Sequence, residues 1–187
     1  SAAANGATKK QAPRGLPLIH NLAKCDKPLL AGVRGVAIGV GTTMLLHCDL
    51  VYVARDAKLT TPFVNLALVP EAASSITLPA RIGHARAFAM FALGEPLAGE
   101  QAAQIGISNA AFPADQVLAT ARDAARKLAQ RPLGALMATK KLMRDGELLL
   151  QQMHREAVFF GQQLKSAEAA EAYGAFAQKR QPDFSKV

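Results

Sequence analysis

Apolar residues recur at helical spacing in residues 16–25, LPLIHNLAKC, where Leu16, Ile19, Leu22 and Ala23 share a face. Asp26, Lys27 and Pro28 stop that helix, and residues 29–33, LLAGV, read as a short buried strand closed by Arg34 and Gly35. Gly35, Gly39 and Gly41 then lie between a strand-like run and a helix-like one, TTMLLHCD. Such a turn can aim backbone N–H groups at a ligand where a helix begins, or it can serve only to reverse the chain. LVYVA after Asp49 is a β-branched and aromatic strand, Arg55-Asp56 makes a turn, and AKLTTP is a further extended piece. Residues 61–75, TPFVNLALVPEAASS, carry a single acid, Glu71, in an otherwise uncharged run. Pro70 suits the first turn of a helix, which places Glu71 at a helix N-terminus beside an apolar wall. On local grounds an acid there only complements the helix dipole, worth about 0.3–1 kcal/mol.

Farther along, residues 78–94 have helical spacing, and residues 98–107 read as a short helix closed by Gly106, with an extended segment over residues 107–113. From Ala114 the pattern turns to consecutive helices over residues 117–130, 133–145, 147–164 and 167–180, punctuated by Pro132, Gly146 and Ser166. This change from alternating strands and helices to helices alone predicts a flexible lead-in over residues 1–14, an α/β core over 15–113 and a C-terminal helical subdomain over 114–187.

Composition narrows the class. A chain of 187 residues that is 50% hydrophobic can bury a core, yet Arg34, Asp49 and Arg55 interrupt its most apolar region, so no membrane span is expected. Cys25 and Cys48 are too few and too far apart for a disulfide framework or a CxxC site. The formal charge of +8 raises the question of an anionic partner. The basic residues are scattered and no recognition motif accompanies them, so a phosphate-bearing small molecule fits as well as nucleic acid.

Other candidate chemistry has plain structural readings. The glycine turn is not a Walker A loop, and Met44 stands where a dinucleotide fingerprint needs its third glycine. His20, His47, His84 and His154 have no metal-ligand spacing, so no metal is expected. His47 adjoins Cys48, but neighbours on a helix point in different directions, and a packed histidine is the simpler reading. Ser74 and Ser75 lack a nucleophile-elbow frame and read as helix-start or lining residues. Lys140-Lys141 and Lys179-Arg180 read as solvated surface that could meet phosphates.

Taken together, residues 27–87 resemble the crotonase superfamily, the enoyl-CoA hydratase and isomerase family. The resemblance rests on the KP-strand-GxAxGxG turn, the segment ending in Cys48-Asp49, the N-L-x-x-x-P-E run and the later GEPLAGEQAAQIGI and FAQKRQPDF stretches. TPF followed by VPEAASS is most similar to the peroxisomal-type enoyl-CoA delta-isomerase branch and its bacterial relatives. The resemblance implies a crotonase (ClpP/crotonase-like) spiral of ββα units with helices used for a homotrimer or a dimer of trimers. It implies an acyl-CoA thioester substrate, no cofactor beyond the CoA within that substrate, and no nucleic-acid partner. Val40 aligns with the backbone N–H that polarises the thioester oxygen. The two glutamate positions of typical hydratases fall on Thr43 and Phe63, while the single glutamate of the isomerase branch matches Glu71. Ile38, Phe63, Leu66 and Leu68 are then the wall of the acyl chain, and Phe176 and Lys179 match positions that touch the CoA nucleotide.

One carboxylate suits a double-bond shift, because it can take a proton from the α carbon of a 3-enoyl thioester and return it to the γ carbon. A 2-enoyl-CoA hydratase and a non-catalytic acyl-CoA binder are the alternatives. The resemblance also implies about 60–80 further N-terminal residues, set against the usual size of an α/β domain, with the first ββα units and a second oxyanion donor. A fragment of a longer chain is the preferred reading, since a stripped front would expose sheet edges. The terminal Ser185-Lys186-Val187 ends in Val where a peroxisomal address has Leu, which leaves a cytoplasmic location as the expectation.

Overall fold

The structure is a computed structural model that describes residues 16–187; the expected lead-in over residues 1–14 lies outside them. The first four short strands are dealt alternately to two sheets, and the fifth and sixth add one more to each. β1 (Leu30–Val33), β3 (Leu50–Ala54) and β6 (Ala110–Phe112) form one parallel sheet in the order β1-β3-β6. β2 (Val36–Ile38), β4 (Lys58–Thr60) and β5 (Leu97–Ala98) form the other, with β2-β4 parallel and β4-β5 antiparallel. The registers Leu30 with Leu50 and Val36 with Lys58 show that each turn of the chain lays one strand on each sheet, giving a spiral. A chain that visits two sheets per turn needs only two to five residues per strand, too few for a period-2 pattern to declare itself.

The main core lies between these layers. β3 runs through it with Val51, Val53 and Ala54 fully buried, joined by Leu59, Leu78, Ile107 and Phe91. α6 (Val117–Ala129) lies against β1 and β3, where Val117 and Leu118 come close to the bare face of Gly32. A second cluster joins α1 (Leu16–Lys24) to α8 (Gly146–Gln163) through Ile19, Ala23, Leu149, Leu150 and Met153, and it includes Ala72 and Ala73. A third, small cluster seats Ala169 and Ala172 of α9 (Ala167–Ala177) on Ala67. α7 (Leu133–Met143) connects α6 to α8, and no helix among the described residues is long and apolar enough to cross a membrane.

Three expected elements differ. The helix expected from the glycine turn to Asp49 is a short α2 (Val40–Thr43) that tightens into a 3-10 turn over Met44–His47. The helical stretch of residues 78–94 is two helices, α3 (Ser74–Ile82) and α4 (His84–Leu93), parted at Gly83 with φ 82°. Most consequentially, α3 starts at Ser74, so Pro70 and Glu71 precede the helix. Ala72 and Ala73, at φ 62° and 57°, hold a left-handed turn between the acid and the helix.

α5 (Gly99–Gln104) begins against β3. A Cβ at Gly99 would stand 1.9 Å from the Ala54 carbonyl oxygen. Gly99→Ala should therefore lower the unfolding free energy by about 1–3 kcal/mol, read as a reduced denaturant midpoint with unchanged slope.

Candidate active site

The glycine turn gives α2 its direction. Gly39 adopts φ 54°, ψ −118°, a conformation that a side chain would oppose, and its carbonyl accepts from the N–H groups of Thr42 and Thr43. Val40 is therefore the first residue of α2, where its N–H lies ahead of the first intrahelical bond and points out of the helix start. The buried Thr42 hydroxyl ties this helix to β2 and β4 of the second sheet, reaching Ala37 O at 2.8 Å and Thr60 O at 3.0 Å.

Thr43, the next residue on α2, donates to Glu71 Oε1 at 2.6 Å. Burial pushes the Glu71 carboxyl above the usual carboxylate range, and the Thr43 hydroxyl opposes that shift by favouring the charged form. A half-buried acid whose proton is easier to keep than in water, held by one hydroxyl, is suited both to accept and to return a proton. The loop that leads to it is tied down from α4: Thr61 Oγ1 bonds Met90 O and Thr60 Oγ1 bonds Gly94 O.

The peptide between Ala72 and Ala73 has side-chain partners at both ends. His47 Nε2 lies 2.8 Å from Ala72 O, and Glu156 Oε2, from α8, accepts from Ala73 N–H at 2.6 Å. A carbonyl can only accept, so His47 Nε2 carries the proton; an Arg can only donate, so Nδ1 is bare and accepts from Arg144. His47 is thereby neutral, and burial, with Arg144, Arg81 and Lys140 nearby, lowers its pKa to about 4 despite the opposing bond to Ala72. The other oxygen of Glu156 accepts from the N–H and the hydroxyl of Ser75, and Gln152 donates to the same hydroxyl at 2.8 Å. Burial raises the Glu156 carboxyl, against the three bonds from Ser75 and Ala73.

The fold brings Val40, Thr43 and Glu71 together: Val40 and Thr43 lie on the helix expected after the glycine turn, whereas Glu71 lies in the turn ahead of α3 and not at the helix N-terminus expected for it. Sequence reasoning did not find the hydroxyl-carboxylate bond, and it took His47 for a packed residue and missed Glu156. The sign that could have found Glu156 is a lone acid on the apolar stripe of Leu149, Leu150 and Met153. Phe63 and Leu68 are buried in the main core, with Phe63 against Phe91, and Leu66 packs on that core. Ile38, 57% exposed, and Val40, 46% exposed, supply apolar surface beside the glycine turn. Lys140 is buried and paired with Asp49 at 2.8 Å, and Arg180 is paired with Glu171, so neither is a loose surface charge. A cavity of about 800 Å³ lies between α3, α7 and α8 and does not include Glu71.

A model of the enoyl-CoA hydratase/isomerase family matches residues 2–186. The chain belongs to this family. It is 35% identical over 171 residues to the 1,2-epoxyphenylacetyl-CoA isomerase of Escherichia coli K12, covering 90% of this chain and 65% of that protein. It is 34% identical over 161 residues to the 2,3-dehydroadipyl-CoA hydratase of the same organism, covering 85% and 63%. The crystal structure of an enoyl-CoA hydratase/isomerase from Pseudoalteromonas atlantica T6c superposes with a TM-score of 0.88 at 36% identity, over 95% of this chain and 73% of that one. The chain spans about two thirds of the length of the two curated relatives. The relatives include an isomerase and a hydratase, so membership of the enoyl-CoA hydratase/isomerase family does not by itself choose between the two reactions.

Two outcomes follow from the titrating groups. Thr43→Val removes the bond that favours the Glu71 carboxylate, so the Glu71 pKa should rise further, read by carboxyl-carbon NMR titration. His47 binds a proton in the unfolded chain below pH 6.5 but in the folded one only below about 4. Stability should therefore fall as pH drops through that window, by an amount on the order of 3 kcal/mol. Above pH 4.5 the raised carboxyls of Glu71 and Glu156 act in the opposite sense, so the measurement is the difference between wild type and His47→Gln in denaturant melts across pH.

Proposed function

We propose that this chain carries the site of an acyl-CoA isomerase that moves a double bond from the 3-position to the 2-position, with Glu71 as its single acid/base. The observation behind this reading is the Thr43–Glu71 pair. Where a hydratase of the family is expected to bring a second carboxylate, α2 offers a hydroxyl, and the nearby Glu156 has both oxygens committed to Ala73 and Ser75. Glu71 takes the proton from the α carbon, and negative charge spreads onto the thioester oxygen as a dienolate. The N–H of Val40 at the start of α2 faces that oxygen, where one well-placed donor is worth about 2.7–4 kcal/mol. The proton then returns from Glu71 to the γ carbon, so atoms and charge balance with no other reactant.

Ile38 and Val40 would hold the acyl chain, with Phe63, Leu66 and Leu68 as the packed layer behind them. Phe176, 76% exposed on α9, and Lys179 just beyond that helix would meet the CoA nucleotide of a neighbouring copy in a trimer. A second reading is 2-enoyl-CoA hydration, favoured by the same pair: the Thr43 hydroxyl and Glu71 could together orient a water.

In the full chain, Glu71→Gln should abolish conversion of a 3-enoyl-CoA, followed as the rise of the conjugated thioester absorbance, while CoA-ester binding by calorimetry persists. Turnover at the wild-type rate would sink the proposal. Loss of absorbance on adding crotonyl-CoA, with no action on the 3-enoyl thioester, would favour hydration, and binding without either turnover a non-catalytic binder.

A further inference from the structure

We propose that His47 and Glu156 are positioning residues for Glu71, gripping the Ala72–Ala73 peptide group from its two ends. The inference deepens the reading of Glu71 as acid/base and rests on it. The carbonyl of Ala72 and the N–H of Ala73 belong to one planar unit, so a donor on the first and an acceptor on the second fix that plane in both translation and rotation. The plane needs fixing. Both residues that flank it are left-handed alanines, a state that costs about 1–2 kcal/mol per residue, so the local chain left alone would swing the peptide elsewhere.

Glu71 is bonded directly to this unit. Its carbonyl closes the turn by accepting from Ser74 N–H at 3.0 Å, and its side chain has Thr43 on the other side. A flip of the gripped peptide would carry the Glu71 backbone away from Thr43 and from the Val40 N–H. Each grip is itself held. Arg144 donates to His47 O at 2.8 Å as well as to Nδ1, which fixes both the backbone and the tautomer of the histidine. Glu156 is 5% exposed, with one oxygen on Ala73 and the other on Ser75, which leaves it no free edge for a substrate proton. Residues from three remote elements, the 3-10 turn, the end of α7 and the middle of α8, thus converge on one peptide group.

The test is steady-state kinetics of the full chain, on whichever enoyl-CoA it turns over, for His47→Phe, His47→Gln, Glu156→Gln and Glu71→Gln, with melting curves for each. His47→Phe deletes the donor to Ala72 and should lower kcat about 10²-fold, the cost of a displacement on the order of 1 Å, with KM little changed. His47→Gln puts an amide N–H where Nε2 stood and should recover most of the loss. Glu156→Gln sets an amide N–H against a backbone N–H and should lower kcat in the same way. Wild-type kcat in His47→Phe, or a loss that His47→Gln fails to recover, overturns the proposal; should His47→Phe not fold, unchanged kcat in Glu156→Gln does so. If Glu71→Gln is inactive while the other variants are fast, only the positioning role fails. If Glu71→Gln is itself active, the acid/base reading fails and the positioning role with it.

Discussion

The left-handed turn at Ala72 and Ala73 is the constraint on which the site depends. Helix α3 packs Leu78 and Ile82 into the main core, while Glu71 must face α2, and the chain has two residues in which to change direction. Glycine would adopt the turn at less steric cost, but its missing methyls would leave gaps in the cluster of Ile19, Leu149, Leu150 and Met153. Alanine fills that cluster and strains the backbone, and the strain is balanced by hydrogen bonds from outside the turn. The second hydrophobic cluster and the placing of the Glu71 carboxylate are therefore two faces of one local solution.

Three of the basic residues have an internal use. Arg81 donates to the carbonyls of Leu46, Cys48 and Ile107, Arg144 to that of His47, and Lys140 to that of Lys27 as well as to Asp49. Cations gather where the 3-10 turn ends and its carbonyls have no further helix to bond. The polar walls of the cavity between α3, α7 and α8 include these same engaged groups, Asp49, Arg81, Lys140 and Arg144. Cys48, in that wall, is a buried thiol whose pKa burial raises, and its Sγ turns to Met44 O while His47 turns to Ala72. The adjacent His and Cys serve separate partners.

Much of the fold was legible where the signal is local. The helical stripe of residues 16–25, the strands around Leu30 and Leu50, the glycine turn and the run of C-terminal helices all follow from periodicity and turn residues. The division of strands between two sheets was not, because three-residue strands such as Val36–Ile38 carry no pattern of their own. Nor was the turn before α3, since nothing in the identity of alanine announces a positive φ. Glu71 stood out as the one acid in an uncharged run, and its match to a family position gave it a role. Thr43 entered only as the absence of a glutamate, though its hydroxyl is the partner that holds Glu71. His47 and Glu156 escaped because their meaning lies in contacts 25 and 83 residues away along the chain.

That last separation governs when the site can exist during synthesis. A chain emerging from the ribosome at about 5–20 residues per second can pair β1 with β3 as soon as residue 54 is free. Glu156 follows roughly 100 residues later, several seconds at that pace. Until α8 docks, the turn at Ala72 lacks its acceptor, and a nascent sheet can be well formed while its carboxylate points nowhere in particular. The gripped turn would be a late feature of this chain, and its formation would time the docking of α8 on the core.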